Sequence, residues 1–151
     1  MLTWTITELA VFQIQSFLEC LKDLREVTLT PEEAGRVFNA RLFAEGTYTR
    51  VAVTPDQVVI GTVSVHLLRK YYGPRVVAAQ VEDLVVRKEF QGQGVGRALL
   101  LHALEIARAA GAYKLVLACT AEVAPFYERV LEGWGREVSL QIRLNESRAR
   151  T

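Results

Sequence analysis

The sequence is poor in the residues that cross-link proteins or anchor them in membranes. Its 151 residues include only two cysteines, Cys20 and Cys119, so we expect two buried free thiols rather than a disulfide. No apolar run reaches the ~18 residues of a membrane-spanning helix. The first residues also lack the basic and then apolar pattern of a secretory signal. We therefore expect a cytoplasmic protein.

The sequence also has no large excess of one charge and no cluster of metal-ligating residues. The 18 basic and 17 acidic residues leave a formal net charge of +1, so no overall field favours nucleic acid or membrane as a partner. The two histidines, His66 and His102, match no catalytic position. Together with two scattered cysteines they make no metal site, so no metal is expected.

What the sequence has is the composition of one folded domain. Half of the residues are hydrophobic and 23% are charged, and no repeat or low-complexity linker divides the chain. We therefore expect a single domain over residues 1–151.

Hydrophobic periodicity predicts helices and strands in a mixed order. The pattern predicts helices over 7–24, 31–44, 94–110 and 122–131, and strands over 47–54, 58–68, 76–86, 113–119 and 136–144. Thr30, Pro31 and Glu33 are typical of a capped helix start. The order ααβββαβαβ predicts an α/β (α+β) fold with a mixed sheet.

A glycine-rich segment joins the third predicted strand to the third predicted helix. It reads "RKEFQGQGVG" over residues 87–96. A helix start presents unpaired N–H groups and the positive end of the helix dipole, and glycines let a ligand come close to them. The junction therefore predicts a phosphate or pyrophosphate site. Neither the dinucleotide-binding pattern G-x-G-x-x-G nor the G-K-[ST] of a Walker loop is present.

The pattern Gln91-x-x-Gly94-x-Gly96 resembles the acetyl-CoA pyrophosphate loop of the GNAT family of N-acetyltransferases. The downstream "PFYERVLEGWG" resembles that family too. The stretches "LTPEEA", "VEDLVV", "YKLVLAC" and "QIR" are most similar to its glucosamine-6-phosphate N-acetyltransferases. The resemblance implies a mostly antiparallel sheet with helices on both faces. It also implies a homodimer that uses acetyl-CoA as cosubstrate and acetylates the 2-amino group of glucosamine 6-phosphate by direct attack on the thioester.

The resemblance also implies site residues. Those implied for coenzyme binding are Leu84, Val85, Val86, Gln91, Gly92, Gln93, Gly94, Val95, Gly96, Arg97, Tyr127 and Arg129. Those implied for the sugar phosphate, some reaching across a homodimer, are Lys70, Tyr71, Glu82, Asp83, Tyr113, Lys114 and Arg143. For catalysis, Tyr127 donates a hydrogen bond to the departing sulfur, the main-chain carbonyl of Ala118 orients the amine, and Glu82 contacts the acceptor.

Several alternatives stay open at the level of sequence. Strand alternation either turns one of Glu82 and Asp83 to solvent or places both along a cleft. Composition alone favours Tyr127 as a core residue. The family usually has Asn at the position of Val123 and tends to have His at Gly73. The other functions considered are acetylation of a free amino sugar, a polyamine or a protein N-terminus, and coenzyme binding without catalysis.

Overall fold

The computed structural model describes residues 2–144, which form two compact units that divide after Leu117. The first unit contains β1 (Thr5–Glu8), α1 (Ile14–Leu21), α2 (Pro31–Leu42), β2 (Thr47–Val53), β3 (Val59–Arg69), β4 (Val77–Val86), α3 (Val95–Ala109) and β5 (Lys114–Leu117). The second unit contains α4 (Ala124–Val130).

The first unit is built on a five-stranded sheet in the order β1-β2-β3-β4-β5. Neighbouring strands are antiparallel except for the parallel pair β4 and β5. Strand β3 is central, and seven of its eleven residues, Val59 through Val65, are buried. A run of that kind predicts a strand covered on both faces.

Helices cover both faces of the sheet, as predicted. On one face, the guanidinium of Arg41 in α2 donates to the hydroxyl of Ser64 at 3.4 Å. On the other face, a Cβ added to Gly61 would lie 2.9 Å from Leu99 of α3. Because successive strand residues point to opposite faces, Gly61 and Ser64 mark the two sides.

The core of the first unit lies between the helices and the sheet. Leu99, Leu100, Ala103 and Ala107 of α3 are buried at helical spacing, so one stripe of the helix packs on the strands. Full burial of a leucine side chain stabilises a fold by about 1.5–3 kcal/mol. The stripe therefore fixes α3, and with it the glycine turn at its start.

The fold class predicted from the sequence is confirmed, but the element order differs at the amino-terminal end. The apolar pattern over 7–24 predicts one helix, whereas residues Thr5–Glu8 form β1 and α1 begins at Ile14. In this edge strand Thr5 pairs with Val53 and Glu8 with Arg50. The β-branched residues of "TITE" suit a strand, and the ladder to β2 satisfies the backbone groups that face it.

The predicted strand over 136–144 is wrong for the structure of one chain. Those residues form no regular element, although their alternating pattern is typical of a strand. A strand requires a neighbour for its N–H and C=O groups, and none pairs with this segment within the described residues. The observed order is therefore βααβββαβα.

The two cysteines differ in environment. Cys20 is fully buried and free, as expected, whereas Cys119 is free but exposed, so the expectation of two buried thiols is wrong for Cys119. Between residues 2 and 144, no three His, Cys, Asp or Glu side chains cluster as metal ligands would. No helix in the same range is both long and apolar enough to cross a bilayer.

Candidate active site

The turn that leads into α3 depends on two glycines with left-handed backbones. Gly92 has φ of 77° and Gly94 has φ of 83°. A Cβ at either position would meet nothing within 4 Å. A side chain would therefore fit at both positions. Glycine is required by the positive φ, because other residues adopt it only at a cost of about 1–2 kcal/mol.

The turn presents amide groups at the start of a fifteen-residue helix. The amide of Ala98 donates to the carbonyl of Gly94 at 3.0 Å and makes the first intrahelical bond. The amides of Val95, Gly96 and Arg97 come before it and have no acceptor within the helix. Together with the helix dipole, they form a site suited to a phosphate or pyrophosphate.

Two side chains fix this turn against the rest of the unit. The amide of Gln91 donates to the carbonyl of Val86 at 3.0 Å and closes the turn onto the end of β4. The guanidinium of Arg87 donates to the carbonyl of Ser16 at 2.8 Å and to its hydroxyl at 3.2 Å. Arg87 therefore binds α1, and Lys88 and Arg97 are the exposed cations of this segment.

The buried thiol of Cys20 lies next to Arg87. Burial raises the pKa of Cys20 to about 11, and the nearby charge of Arg87 offsets part of that effect. The thiol is therefore protonated near neutral pH and contributes to packing rather than to chemistry.

Strand β4 carries both a free edge and a β-bulge. Its pairing with β5 ends at Val81 and Leu117, so residues 82–86 have no strand partner on that edge within residues 2–144, and the carbonyl of Val86 accepts from Gln91. On its other side, the register to β3 shifts between Thr62 and Ser64. Asp83 lies at this bulge with φ of 52°, a conformation that Asp tolerates better than most residues. The strand therefore bends where the two acids lie.

Both acids are exposed, so the apolar run around them does not bury either one. The Oε1 of Glu82 accepts a hydrogen bond from the amide of Gln80 at 2.7 Å, and its Oε2 lies 3.6 Å from Nε2 of His66. The other nitrogen of that ring, Nδ1, lies 3.4 Å from the hydroxyl of Thr47. No motif in the sequence assigns His66 a role, because only the register between strands brings it beside Glu82.

A cavity of about 500 Å³ lies on the α1 and α2 face of the sheet. Thr62, Ser64 and Asp83 belong to its polar lining. Its apolar lining includes Ile14, Phe17, Leu18, Leu21, Leu29, Val37, Phe38 and Leu42. The cavity therefore combines an apolar wall with a few polar groups, as small-molecule sites commonly do.

The candidate phosphate contacts of the first unit lie at one end of the sheet. Lys70 and Tyr71 line a smaller cavity of about 330 Å³ together with Gly73. Lys114 pairs in register with Ala78 and lies 5.6 Å from the ring centre of Tyr113. Glu82 lies four residues further along β4, which corresponds to about 13 Å at the rise of a strand. The amide of Lys70 donates to the carbonyl of Val76 and the amide of Tyr113 to that of Val77, so both pairs lie at the same end of β4, away from the acids of the same chain.

The second unit, described over 118–144, contains the remaining candidates. The ring of Tyr127 packs edge to face on Phe126 with centres 5.2 Å apart. Burial, and to a smaller extent the charge of Cys119, raise the pKa of Tyr127 above its ordinary value. Its phenol is therefore protonated at neutral pH and can donate a hydrogen bond. The other candidates of this unit, Ala118, Arg129 and Arg143, are exposed.

The chain matches a known protein family. Residues 14–132 match the family described as "Acetyltransferase (GNAT) family". A glucosamine 6-phosphate N-acetyltransferase of Trypanosoma brucei brucei is 31% identical over 119 residues, which cover 78% of this chain and 80% of that protein.

Solved structures of similar proteins agree with this match. The crystal structure of a Trypanosoma brucei acetyltransferase superposes with a TM-score of 0.83 at 30% identity, covering 95% of this chain and 99% of that one. The structure of glucosamine-6-phosphate N-acetyltransferase from Arabidopsis thaliana has a TM-score of 0.86 at 24% identity over 95% and 99% of the two chains, a likeness of fold. The chain therefore belongs to the acetyltransferase (GNAT) family.

Proposed function

We propose that this protein transfers the acetyl group of acetyl-CoA to the 2-amino nitrogen of glucosamine 6-phosphate. The observation that carries the proposal is the junction of β4 and α3, where the left-handed Gly94 exposes helix-start amides beside a free strand edge. The Trypanosoma relative named for this reaction supports the choice of acceptor.

The coenzyme would be held largely by main-chain groups. The amides of Val95, Gly96 and Arg97 suit its pyrophosphate. The free edge of β4 at Leu84, Val85 and Val86 suits the amides of a pantetheine arm, which can pair with it as an added strand would. Tyr127 and Arg129 are the coenzyme contacts that we propose from the second unit.

The reaction requires a neutral amine, since only its lone pair attacks the thioester carbon. The carbon–nitrogen bond forms, the carbon–sulfur bond breaks, and the proton that the amine gives up is balanced by protonation of the leaving sulfur, so the products are the amide and the free thiol of CoA. An amino-sugar amine is less basic than a lysine amine, so a strong general base is not required. We assign Glu82 to the acceptor, the carbonyl of Ala118 to the amine, and Tyr127 to hydrogen bonding of the thiolate.

An assay of released thiol tests the proposal. Acetyl-CoA is supplied with glucosamine 6-phosphate, glucosamine, a polyamine or a peptide with a free N-terminus. We expect the highest kcat/KM for the phosphorylated sugar. Acetyl-CoA binding without turnover of any amine would instead identify a coenzyme-binding module.

A second candidate function is acetylation of a different amine. The apolar wall of the 500 Å³ cavity, with Phe17, Leu21 and Phe38, favours an acceptor that has an apolar part. The same panel of amines distinguishes the two, because this alternative predicts no preference for the phosphorylated sugar.

We also propose that the protein is a homodimer. The segment 136–144 presents Val138, Leu140, Ile142 and Leu144 to solvent, with polar residues between them. This alternation is typical of a strand that pairs with another chain. Lys114 of the same chain is about 13 Å from Glu82 along β4, and in a dimer the lysines of a second copy could approach these acids instead. Sedimentation velocity tests this proposal, and Leu140→Lys with Ile142→Lys should shift a dimer to monomer.

A further inference from the structure

We infer that Arg41 binds the anionic group of the acceptor and thereby determines the preference for a phosphorylated amine. The inference rests on the proposed function, because it concerns the acceptor of that same reaction. It adds a residue that neither the sequence pattern nor the resemblance identified.

Arg41 carries a charge that has no acidic partner among the described residues. Its side chain lines the 500 Å³ cavity from the last turn of α2. The one side-chain hydrogen bond recorded for it there reaches the hydroxyl of Ser64 at 3.4 Å, the long end of the range. A guanidinium has five N–H donors in a planar fork that fits a phosphate or carboxylate. Most of those donors are thus available to a ligand.

The other charged groups of this cavity are engaged, with one exception. Glu8 lies 3.3 Å from Arg50, whose guanidinium also stacks over the ring of Tyr48 at 5.4 Å. Glu45 accepts a hydrogen bond from Arg69 at 2.9 Å.

Asp83 is the exception. Within residues 2–144 it has neither a side-chain hydrogen bond nor an ion pair. The cavity therefore presents one cation and one anion without a charged partner, Arg41 and Asp83, which suits an acceptor with an amine and an acidic group.

The register between β3 and β4 keeps the two groups close. Ser64, which Arg41 contacts, is the partner of Glu82, and Asp83 is the next residue. Neighbouring strands lie about 4.8 Å apart, so Arg41 reaches the sheet one strand away from the acids. Lys114, by contrast, is separated from Glu82 by about 13 Å along β4. Within one chain, Arg41 is thus better placed than Lys114 to hold an acidic group while the acids hold the amine.

The test compares two acceptors in three proteins: wild type, Arg41→Met and Arg36→Met. Arg36 is exposed on the same helix and does not line the cavity, so it is the matched control. We expect Arg41→Met to lower kcat/KM for glucosamine 6-phosphate about 10- to 100-fold, the effect of losing hydrogen bonds to a charged group. The kcat/KM of Arg41→Met for glucosamine should change less than about threefold, because glucosamine has no anionic group for Arg41 to bind.

The ratio of the two kcat/KM values does not depend on how much of the variant is folded, so partial unfolding does not affect the result. Arg41→Lys, which keeps the charge but not the fork, should restore part of the preference. An equal loss with both sugars would overturn the inference and leave Arg41 a structural residue. Wild-type protein that does not prefer the phosphorylated sugar would refute the proposed function itself, and the inference with it.

Discussion

Nε2 of His66 lies 3.6 Å from Oε2 of Glu82 across the ladder between β3 and β4. Glu82 also accepts from Gln80 at 2.7 Å, so its carboxylate is held from two sides. Gln80 lies two residues from Glu82 on the same strand, whereas the contact with His66 depends on which strands are neighbours and cannot be found along the chain. If Glu82 contacts the acceptor, His66 is a positioning residue for it.

Replacing His66 should therefore weaken the acceptor step. We expect His66→Leu to lower kcat/KM for the acceptor about threefold to tenfold, since a contact to a charged group is lost, while KM for acetyl-CoA stays unchanged. His66→Gln keeps an N–H donor and should recover most of the loss. His102→Leu, on α3 beside Glu105, is the control. Equal effects of the two leucine variants would contradict the role of His66.

Gly94→Ala should impair coenzyme binding beyond its cost in stability. Alanine at φ of 83° should lower the free energy of unfolding by about 1–2 kcal/mol and displace the helix-start amides. We expect KM for acetyl-CoA to rise about tenfold, which corresponds to ~1.4 kcal/mol. Gly111→Ala is the matched control, because Gly111 has φ of 70° and open space at the other end of α3. If Gly111→Ala raises KM as much, the amide turn is not the coenzyme site.

Tyr127→Phe should lower kcat about 10- to 100-fold by removing a hydrogen-bond donor to a charged group. The ring contact with Phe126 is kept, so KM for acetyl-CoA and the melting temperature should be nearly unchanged. Because burial raises the pKa of Tyr127, the donor stays protonated as pH rises, and Tyr127 itself should cause no loss of kcat between about pH 7 and 9. A large loss of coenzyme binding would instead indicate a packing role.

The free energy of unfolding should fall at alkaline pH because of Cys20. Burial raises its pKa from 9.0 to about 11, so the unfolded chain ionises first. The contribution of the buried thiol is complete below about pH 9 and is lost as pH rises towards 11, by up to about 2–3 kcal/mol. Denaturant unfolding from pH 8 to 11 should show this decline in wild type and in Cys119→Ala. Cys20→Ala should show less of it, and an unchanged decline in that variant would contradict the assignment.

Deleting the side chain of Leu99 should unfold the first unit more readily. It is fully buried in α3 against Gly61 of β3, and the cavity left by Leu99→Ala should cost about 2–5 kcal/mol. Val116→Ala, at an exposed position of β5, should cost much less. Comparable losses would contradict the packing of α3 described above.

The sequence determined the elements that depend on local patterns. Alternation and helical spacing predicted β2, β3, β4 and α3 to within one or two residues. The glycine-rich segment 87–96 predicted a turn before α3, and the structure has that turn with Gly92 and Gly94 at positive φ; binding of an anion there stays a prediction. The elements and the turn could be predicted because hydrophobic periodicity, helix capping and positive φ are properties of a few consecutive residues.

Only the tertiary structure decided which side chains meet. It paired residues 5–8 with β2, although residues 7 and 8 were predicted as helix, joined Arg87 to Ser16, and brought His66 beside Glu82. Within residues 2–144 it also left Arg41 and Asp83 without charged partners in one cavity. The physical reason is that strand pairing and side-chain packing join residues far apart in the chain, and no short-range pattern records the register between them.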